Sequence, residues 1–208
     1  MKQPISQSIE IPEGIACSYT DLILTCKKDS TEVKREINIP QIELKIDNKN
    51  ITLECKKANK NHRRTILTFL AHIKNMFVGL EKKFVYSLEA VNVHFPMAIK
   101  VEEDKVTINN FLGEKVPRYS KIMPNVNVEV KGQKITVSSP DREAAGQTAA
   151  NLEKATKVKG RDRRIFQDGI FITEKPKRRS SLVDARKPAT KREASQQEQA
   201  KSGGGEGH

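Results

Sequence analysis

The sequence predicts an α+β protein: two similar small domains from an internal duplication, each an antiparallel sheet covered by a helix, followed by a disordered basic C-terminal tail. Three observations carry this reading. Apolar residues alternate with polar ones at strand period in two separate regions. A helical apolar stripe follows each region. The two regions also match each other at an offset of 84 residues. Pro12 and Pro40 align with Pro96 and Pro124, Ile15 with Ile99, Leu22 and Leu24 with Val106 and Ile108, and Ile51 and Leu53 with Ile135 and Val137. Ile42, Leu44 and Ile46 align with Val126, Val128 and Val130, and no gap is needed. The period is too long for a solenoid unit, so a duplicated domain is expected rather than a repeat array.

Each copy has the same order of elements. In the first, Leu22, Leu24 and Cys26 mark one strand, Ile42, Leu44 and Ile46 a second, and Ile51, Leu53 and Cys55 a third. DNKN, residues 47–50, is rich in turn formers and joins the last two as a hairpin. In the second copy VTINNF and NVNVEVKGQKITVSS repeat the pattern, with KGQK as the turn. Ile66, Phe69, Leu70, Ile73, Met76 and Phe77 recur at three- and four-residue steps and form a helical stripe, with Gly79 as its stop. The second helix starts near Ser139 or Asp141 as N-cap, has Pro140 in its first turn, and presents a face made mostly of alanine, so it lies close to its sheet. From Glu174 onward apolar residues are few and aromatics absent, a composition that cannot offset ordering entropy. The expected domains are therefore 1–82, 83–175 and a tail, 176–208.

Composition narrows the function. The chain has 208 residues, 38 Lys+Arg against 26 Asp+Glu, and a net charge of +12. Apolar residues make up 36% and aromatics 5%, which suits small cores and an anionic partner. No apolar run approaches the ~18 residues of a membrane span, and MKQPISQSIEIPEG lacks the apolar stretch of a secretion signal. Cys17, Cys26 and Cys55 form no CxxC pair, and Cys26 and Cys55 read as small apolar residues on buried strand faces rather than zinc ligands with His62. No Walker loop, GxGxxG, HExxH or GxSxG occurs, so no enzyme, cofactor or metal is expected. His94 and the Asp168-Gly169 pair read as structural, the latter as a turn.

Two basic clusters stand out. The first, KKANKNHRR, holds Lys56, Lys57, Lys60, Arg63 and Arg64 without an acid, at the N-terminal end of the first helix. Side chains, free backbone N–H groups and the helix dipole all favour phosphate there. The second holds Lys157, Lys159, Arg161, Arg163 and Arg164 within eight residues, with Gly160 between them. Arginine suits bidentate phosphate contacts and stacking on bases. Lys115 and Arg118 form a weaker third group. Phe166, Ile170 and Ile172 are expected to dock the segment on the second domain.

The stretch RDRRIFQDGIFITEK, 161–175, closely resembles the C-terminal signature of large-subunit ribosomal protein six in its archaeal and eukaryotic form, called number nine in eukaryotic cytosolic ribosomes. VNVHFP (91–96), NNFLGEK (109–115) and the basic start of the first helix at Asn61–Thr65 resemble the same family, and the likeness spans residues 5–176. The resemblance implies two similar α+β domains and a structural, rRNA-binding constituent of the cytoplasmic large subunit. Its partners would be large-subunit rRNA and neighbouring ribosomal proteins. It would support the region near the sarcin–ricin loop and stalk base, where translational GTPases dock, and so meet those factors only indirectly. The tail after Pro176 exceeds the family's usual length. The alternative reading is a non-ribosomal RNA-binding module or an adaptor for acidic proteins.

Overall fold

The computed structural model describes residues 3–38, 42–47, 49–162 and 164–176. The first half of the chain forms β1 (Gln3–Glu10), β2 (Ala16–Thr20), β3 (Ile23–Lys28), β4 (Thr31–Glu36), β5 (Glu43–Ile46), β6 (Asn50–Ala58) and α1 (Lys60–Glu81). The second forms β7 (Phe84–Val91), β8 (Ala98–Val101), β9 (Lys105–Asn109), β10 (Arg118–Lys121), β11 (Asn127–Lys131), β12 (Lys134–Ser139), α2 (Arg142–Ala155) and β13 (Gly169–Glu174). The protein is α+β, and the duplication is visible in the pairing. Strands order β1-β6-β5 and β2-β3-β4 in one copy, and β7-β12-β11 and β8-β9-β10 in the other, all antiparallel. Each copy thus divides its strands between two small sheets. β13 adds to the outer edge of β7 and has no counterpart in the first copy among the described residues.

The gapless offset of 84 holds only in the closing hairpins, where Ile46 faces Ile51 and Val130 faces Ile135. In the hairpin before them Cys17 faces Cys26 and Ile99 faces Ile108, an offset of 82. The counterparts of Val106 and Ile108 are therefore the buried Leu24 and Cys26, not Leu22 and Leu24. Leu22 is 47% exposed and sits in the β2–β3 turn with φ of 63°, beside Asp21 at 51°. The first hairpins of the two copies have turns of equal length; the alignment slips by one pleat repeat after them, where β3 and β4 are joined by a two-residue turn and β9 and β10 by the longer 110–117 loop. Pro40, matched to Pro124, lies outside the described residues, as does the tail from 177.

The DNKN turn closes as expected, with Asp47 and Asn50 exchanging backbone hydrogen bonds of 2.8 and 3.3 Å. Gly132 supplies the left-handed residue (φ 62°) of the KGQK turn.

Two hydrophobic cores share no residue. The first ends at Leu80 and packs Ile66, Leu70, Ile73, Met76 and Phe77 of α1 against Leu24, Cys26, Ile51 and Leu53. The second begins at Tyr86 and packs Ala145, Ala149 and Leu152 of α2 against Val106, Ile108, Ile135, Val137 and Ile170. Each large aliphatic side chain so buried contributes roughly 1.5–3 kcal/mol.

Gly79 does not stop α1, which continues to Glu81. A Cβ at Gly79 would stand 1.9 Å from the Pro140 carbonyl oxygen, so the glycine permits close approach of the two copies. Pro140 precedes α2 rather than entering its first turn. Asp141 is the N-cap and accepts from the Glu143 N–H, while the Ser139 hydroxyl accepts from the Asp141 N–H and donates to the Asn125 carbonyl.

Glu143 fastens the copies further. Its carboxylate meets Arg35 of β4 at 2.9 Å and His72 of α1 at 3.2 Å. The Arg35 hydrogen bond outweighs partial burial and holds the Glu143 carboxyl below its ordinary range. Burial, with the Arg35 charge next, holds His72 below its own. Arg142 adds a 3.4 Å contact to Asn75 and lies over the Phe84 ring. Residues 1–176 accordingly form one compact unit.

Candidate nucleic-acid interface

Three segments far apart in sequence meet at one end of the second copy: the loop after β7 (residues 92–97), the loop between β9 and β10 (110–117), and the segment from α2 to β13 (156–168). Each meets the others through named contacts. Asp168 is the anchor. Its side chain is 1% exposed. Oδ1 accepts the Val93 N–H at 2.7 Å and the His94 N–H at 3.0 Å, and Oδ2 accepts from His94 Nδ1 at 2.8 Å. Burial alone would push this carboxyl up. The His94 side-chain bond, the two backbone bonds and the His94 charge together outweigh it and bring it down to about 2. Asp168 is therefore not a turn residue: it ties the β7–β8 loop to the start of β13. No signal within five residues of Asp168 indicates this, because its partners lie more than seventy residues away.

His94 then meets Phe166, ring centroids 5.1 Å apart, and the Arg161 guanidinium lies 4.9 Å from the Phe166 centroid. This contact steers Arg161 along the ring face while leaving the residue exposed. Asp162 organises the turn that follows. Its side chain accepts the Arg164 N–H, and its carbonyl accepts those of Ile165 and Phe166. The acid within RDRR thus shapes the loop. Gly160, at φ 68°, gives the left-handed bend before it. At the other end, buried Thr156 caps α2 and accepts the Ile170 N–H at 2.9 Å, so the segment is pinned on both sides.

The 110–117 loop is strained. Asn110 and Leu112 have φ of 58° and 51°, which places both Phe111 and Leu112 in the core. Asn110 donates to the Pro96 carbonyl, linking this loop to the first. Arg118 links it to the third. Nε and Nη2 donate to Glu114 at 2.7 and 2.6 Å, and Nη1 donates to the Ala155 and Lys157 carbonyls. Its guanidinium also lies 4.3 Å from the Phe111 centroid. Arg118 is thus a fastening residue with four of its five N–H donors committed, and its hydrogen bonds hold the Glu114 carboxyl below its usual range.

Around this scaffold Lys115, Lys157, Lys159, Arg161 and Arg164 are exposed, and among the described residues none of them forms an ion pair. Arg163 lies outside the described residues. A groove of about 690 Å³ lined by Lys154, Lys157, Phe166, Gln167 and Phe171 runs beside them. Ile170 is fully buried and docks β13 as expected, whereas Phe171 turns outward, 42% exposed. Exposed Val93, Phe95, Val116 and Ile165 add apolar surface to the same loops. The larger groove, about 750 Å³, lies between β4 and α2, carries Glu32, Asp141 and Glu143, and has no part in the basic face.

The first cluster is built separately, on β6 and α1. Asn59 caps α1 and takes the His62 N–H at 3.0 Å, so one of the free backbone donors is occupied. The first turn has no acidic residue. Lys57, Lys60, Arg63 and Arg64 are exposed without an ion pair among the described residues, while Lys56 meets Glu43 at 3.2 Å. No hydrogen bond or ion pair joins this cluster to the second among the described residues. Contacts between the copies use His72, Asn75 and Gly79 instead, the latter some 24 Å along the helix from Arg63. Among the described residues no group of three or more His, Cys, Asp and Glu gathers as a metal site, and no helix is long and apolar enough to cross a membrane.

A duplicated α+β scaffold that gathers a basic face from three loops has the form of a structural assembly protein. Residues 95–169 match the family described as ribosomal protein L6. The chain is 42% identical over 170 residues to the large ribosomal subunit protein uL6 of Haloarcula marismortui, covering 82% of this chain and 96% of that one. It is 43% identical over 171 residues to uL6 of Methanococcus vannielii, covering 82% and 94%, and 39% identical over 175 residues to uL6 of Methanosarcina mazei, covering 84% and 99%. The chain belongs to the uL6 family of large-subunit ribosomal proteins, whose members are structural and not enzymes.

Proposed function

We propose that this protein is an rRNA-binding constituent of the cytoplasmic large ribosomal subunit, and that its second copy carries the principal contact. The observation that carries the reading is the convergence of three loops into a scaffold presenting Lys115, Lys157, Lys159, Arg161 and Arg164 without carboxylate partners among the described residues. Rigidly held cations at fixed spacing suit a folded polyanion, whose phosphates position the protein and whose shape supplies selectivity. Lys57, Lys60, Arg63 and Arg64, with Lys56 once released from Glu43, form a second contact on the first copy. Arg163 belongs with the first group by its place in sequence.

Two lobes meeting near residues 82–83, each with its own core, suit a protein that bridges two RNA surfaces. Family membership supports placement near the sarcin–ricin loop and stalk base, among neighbouring ribosomal proteins, with translational GTPases affected only through that support. The test is charge reversal of Arg161 and Arg164 together, followed by rRNA occupancy in reconstituted large subunits. Each charge-assisted contact contributes roughly 1.5–3 kcal/mol, so occupancy falls at least tenfold while the isolated variant stays folded. Unchanged occupancy overturns the assignment. Equal binding to an acidic polypeptide favours an adaptor role instead.

A further inference from the structure

Cys17 and Cys26 are direct cross-strand partners in the β2–β3 hairpin, and their sulfurs lie 2.8 Å apart. Directly opposed residues of an antiparallel pair have Cα atoms roughly 4.5–5.5 Å apart, within the range a disulfide spans. The two sulfurs differ in access: Cys17 is half-buried and Cys26 fully buried. Cys55 is engaged elsewhere, with His62 Nδ1 at 3.6 Å from its sulfur. We propose that Cys17 and Cys26 form a reversible thiol–disulfide site that cross-links the β2–β3 hairpin, oxidised by a low-molecular-weight disulfide such as glutathione disulfide.

The chemistry follows from the asymmetry. The Cys26 thiol hydrogen-bonds to Cys17 and favours the thiolate there, lowering its pKa despite partial burial. The same contact, together with burial, keeps Cys26 protonated. Cys17 therefore attacks first. Its thiolate forms an S–S bond with one sulfur of glutathione disulfide and expels glutathione thiolate, which takes up the Cys17 proton. Cys26 then attacks the Cys17 sulfur of the mixed disulfide, loses its own proton and expels the second glutathione. Two protein thiols are oxidised by two electrons, and one glutathione disulfide is reduced to two glutathiones. Excess reduced glutathione runs the steps backwards.

The full-length protein, folded, is incubated with glutathione disulfide, quenched in acid, alkylated under denaturing conditions and digested with trypsin. Cys17 and Cys26 fall in one tryptic peptide, residues 3–27, and Cys55 in another, residues 50–56. After oxidation the first peptide escapes alkylation and has lost two hydrogens, while the second is alkylated. Treating the oxidised protein with excess reduced glutathione before the quench restores two alkyl groups to the first. Cys55→Ser leaves the result unchanged, and Cys26→Ser traps a glutathione adduct on Cys17. Two alkyl groups on residues 3–27 after oxidation, an unresolved adduct on wild-type Cys17, or a bond involving Cys55 each overturns the proposal.

Discussion

Replacing Asp168 tests how the basic face is held in shape. Its carboxyl stands at about 2 instead of 3.8, and that difference corresponds to about 2 kcal/mol of folding stability at neutral pH. Asp168→Asn keeps the shape and removes the charge, so it loses most of that amount. Asp168→Ala also strands the Val93 and His94 N–H groups, each worth roughly 1–3 kcal/mol if left without a partner. The loop is partly wet, so water recovers some of this, and a total near 3–4 kcal/mol is expected. At roughly 2–4 °C per kcal/mol for a protein of this size, Asp168→Ala lowers Tm by about 6–16 °C. The pH dependence has a definite sign. The depressed pKa gives stability that is fully present above about pH 5 and disappears as pH falls through 3.8 toward 2. Denaturant titrations of wild type and Asp168→Asn at a series of pH values isolate the effect, because other groups titrate in both proteins. A gap that is absent at pH 6, or that persists undiminished at pH 2.5, refutes the reasoning.

Binding of the full chain to a large-subunit rRNA fragment should fall steeply with salt: about six neutralised phosphates give a log–log slope of roughly −4 to −5 in filter-binding titrations, and a flat profile contradicts phosphate recognition. Gly79→Ala forces a methyl into the Pro140 carbonyl and should cost roughly 1–3 kcal/mol by chemical denaturation, whereas Gly132→Ala, with open space around it, meets only the penalty of its left-handed φ. Glu143→Gln weakens the Arg35 and His72 contacts between the copies. Glu143 is more than half exposed, so solvent screening limits the loss to at most about 1 kcal/mol at pH 7, shrinking as the wild-type carboxyl protonates in acid. Arg118→Lys cannot reproduce the fork that joins Glu114 to the Ala155 and Lys157 carbonyls. It should destabilise by roughly 1–3 kcal/mol, read as a lower denaturation midpoint.

Periodicity made the closing hairpins and the α1 stripe legible, because a half-buried strand and an amphipathic helix each impress a distinct spacing on the sequence. Those signals fail where tertiary contact decides. β1, QPISQSIE, carries too few apolar residues to declare itself and owes its strand to pairing with β6. β7 does alternate, with Phe84, Tyr86, Leu88 and Ala90 buried, but it follows α1 so closely that the run reads as a connection. Gly79 imitates a helix stop when it is a site of close approach. At the interface, the basic runs are visible as composition. Arg118 looks the same as its neighbours until its partners are seen, and Asp168-Gly169 looks like a turn until Val93 and His94 are placed beside it. Local sequence reports which residues carry charge, whereas the fold decides which charges are already spoken for.

The most direct measurement is a density map of the large subunit containing this protein, at a resolution that shows side chains and phosphates. The account predicts rRNA phosphate oxygens within hydrogen-bonding reach of Lys157, Lys159, Arg161 and Arg164, with Asp168 still holding the 92–97 loop beneath them. Those four side chains facing bulk water or an acidic protein, with no nucleotide beside them, would contradict it.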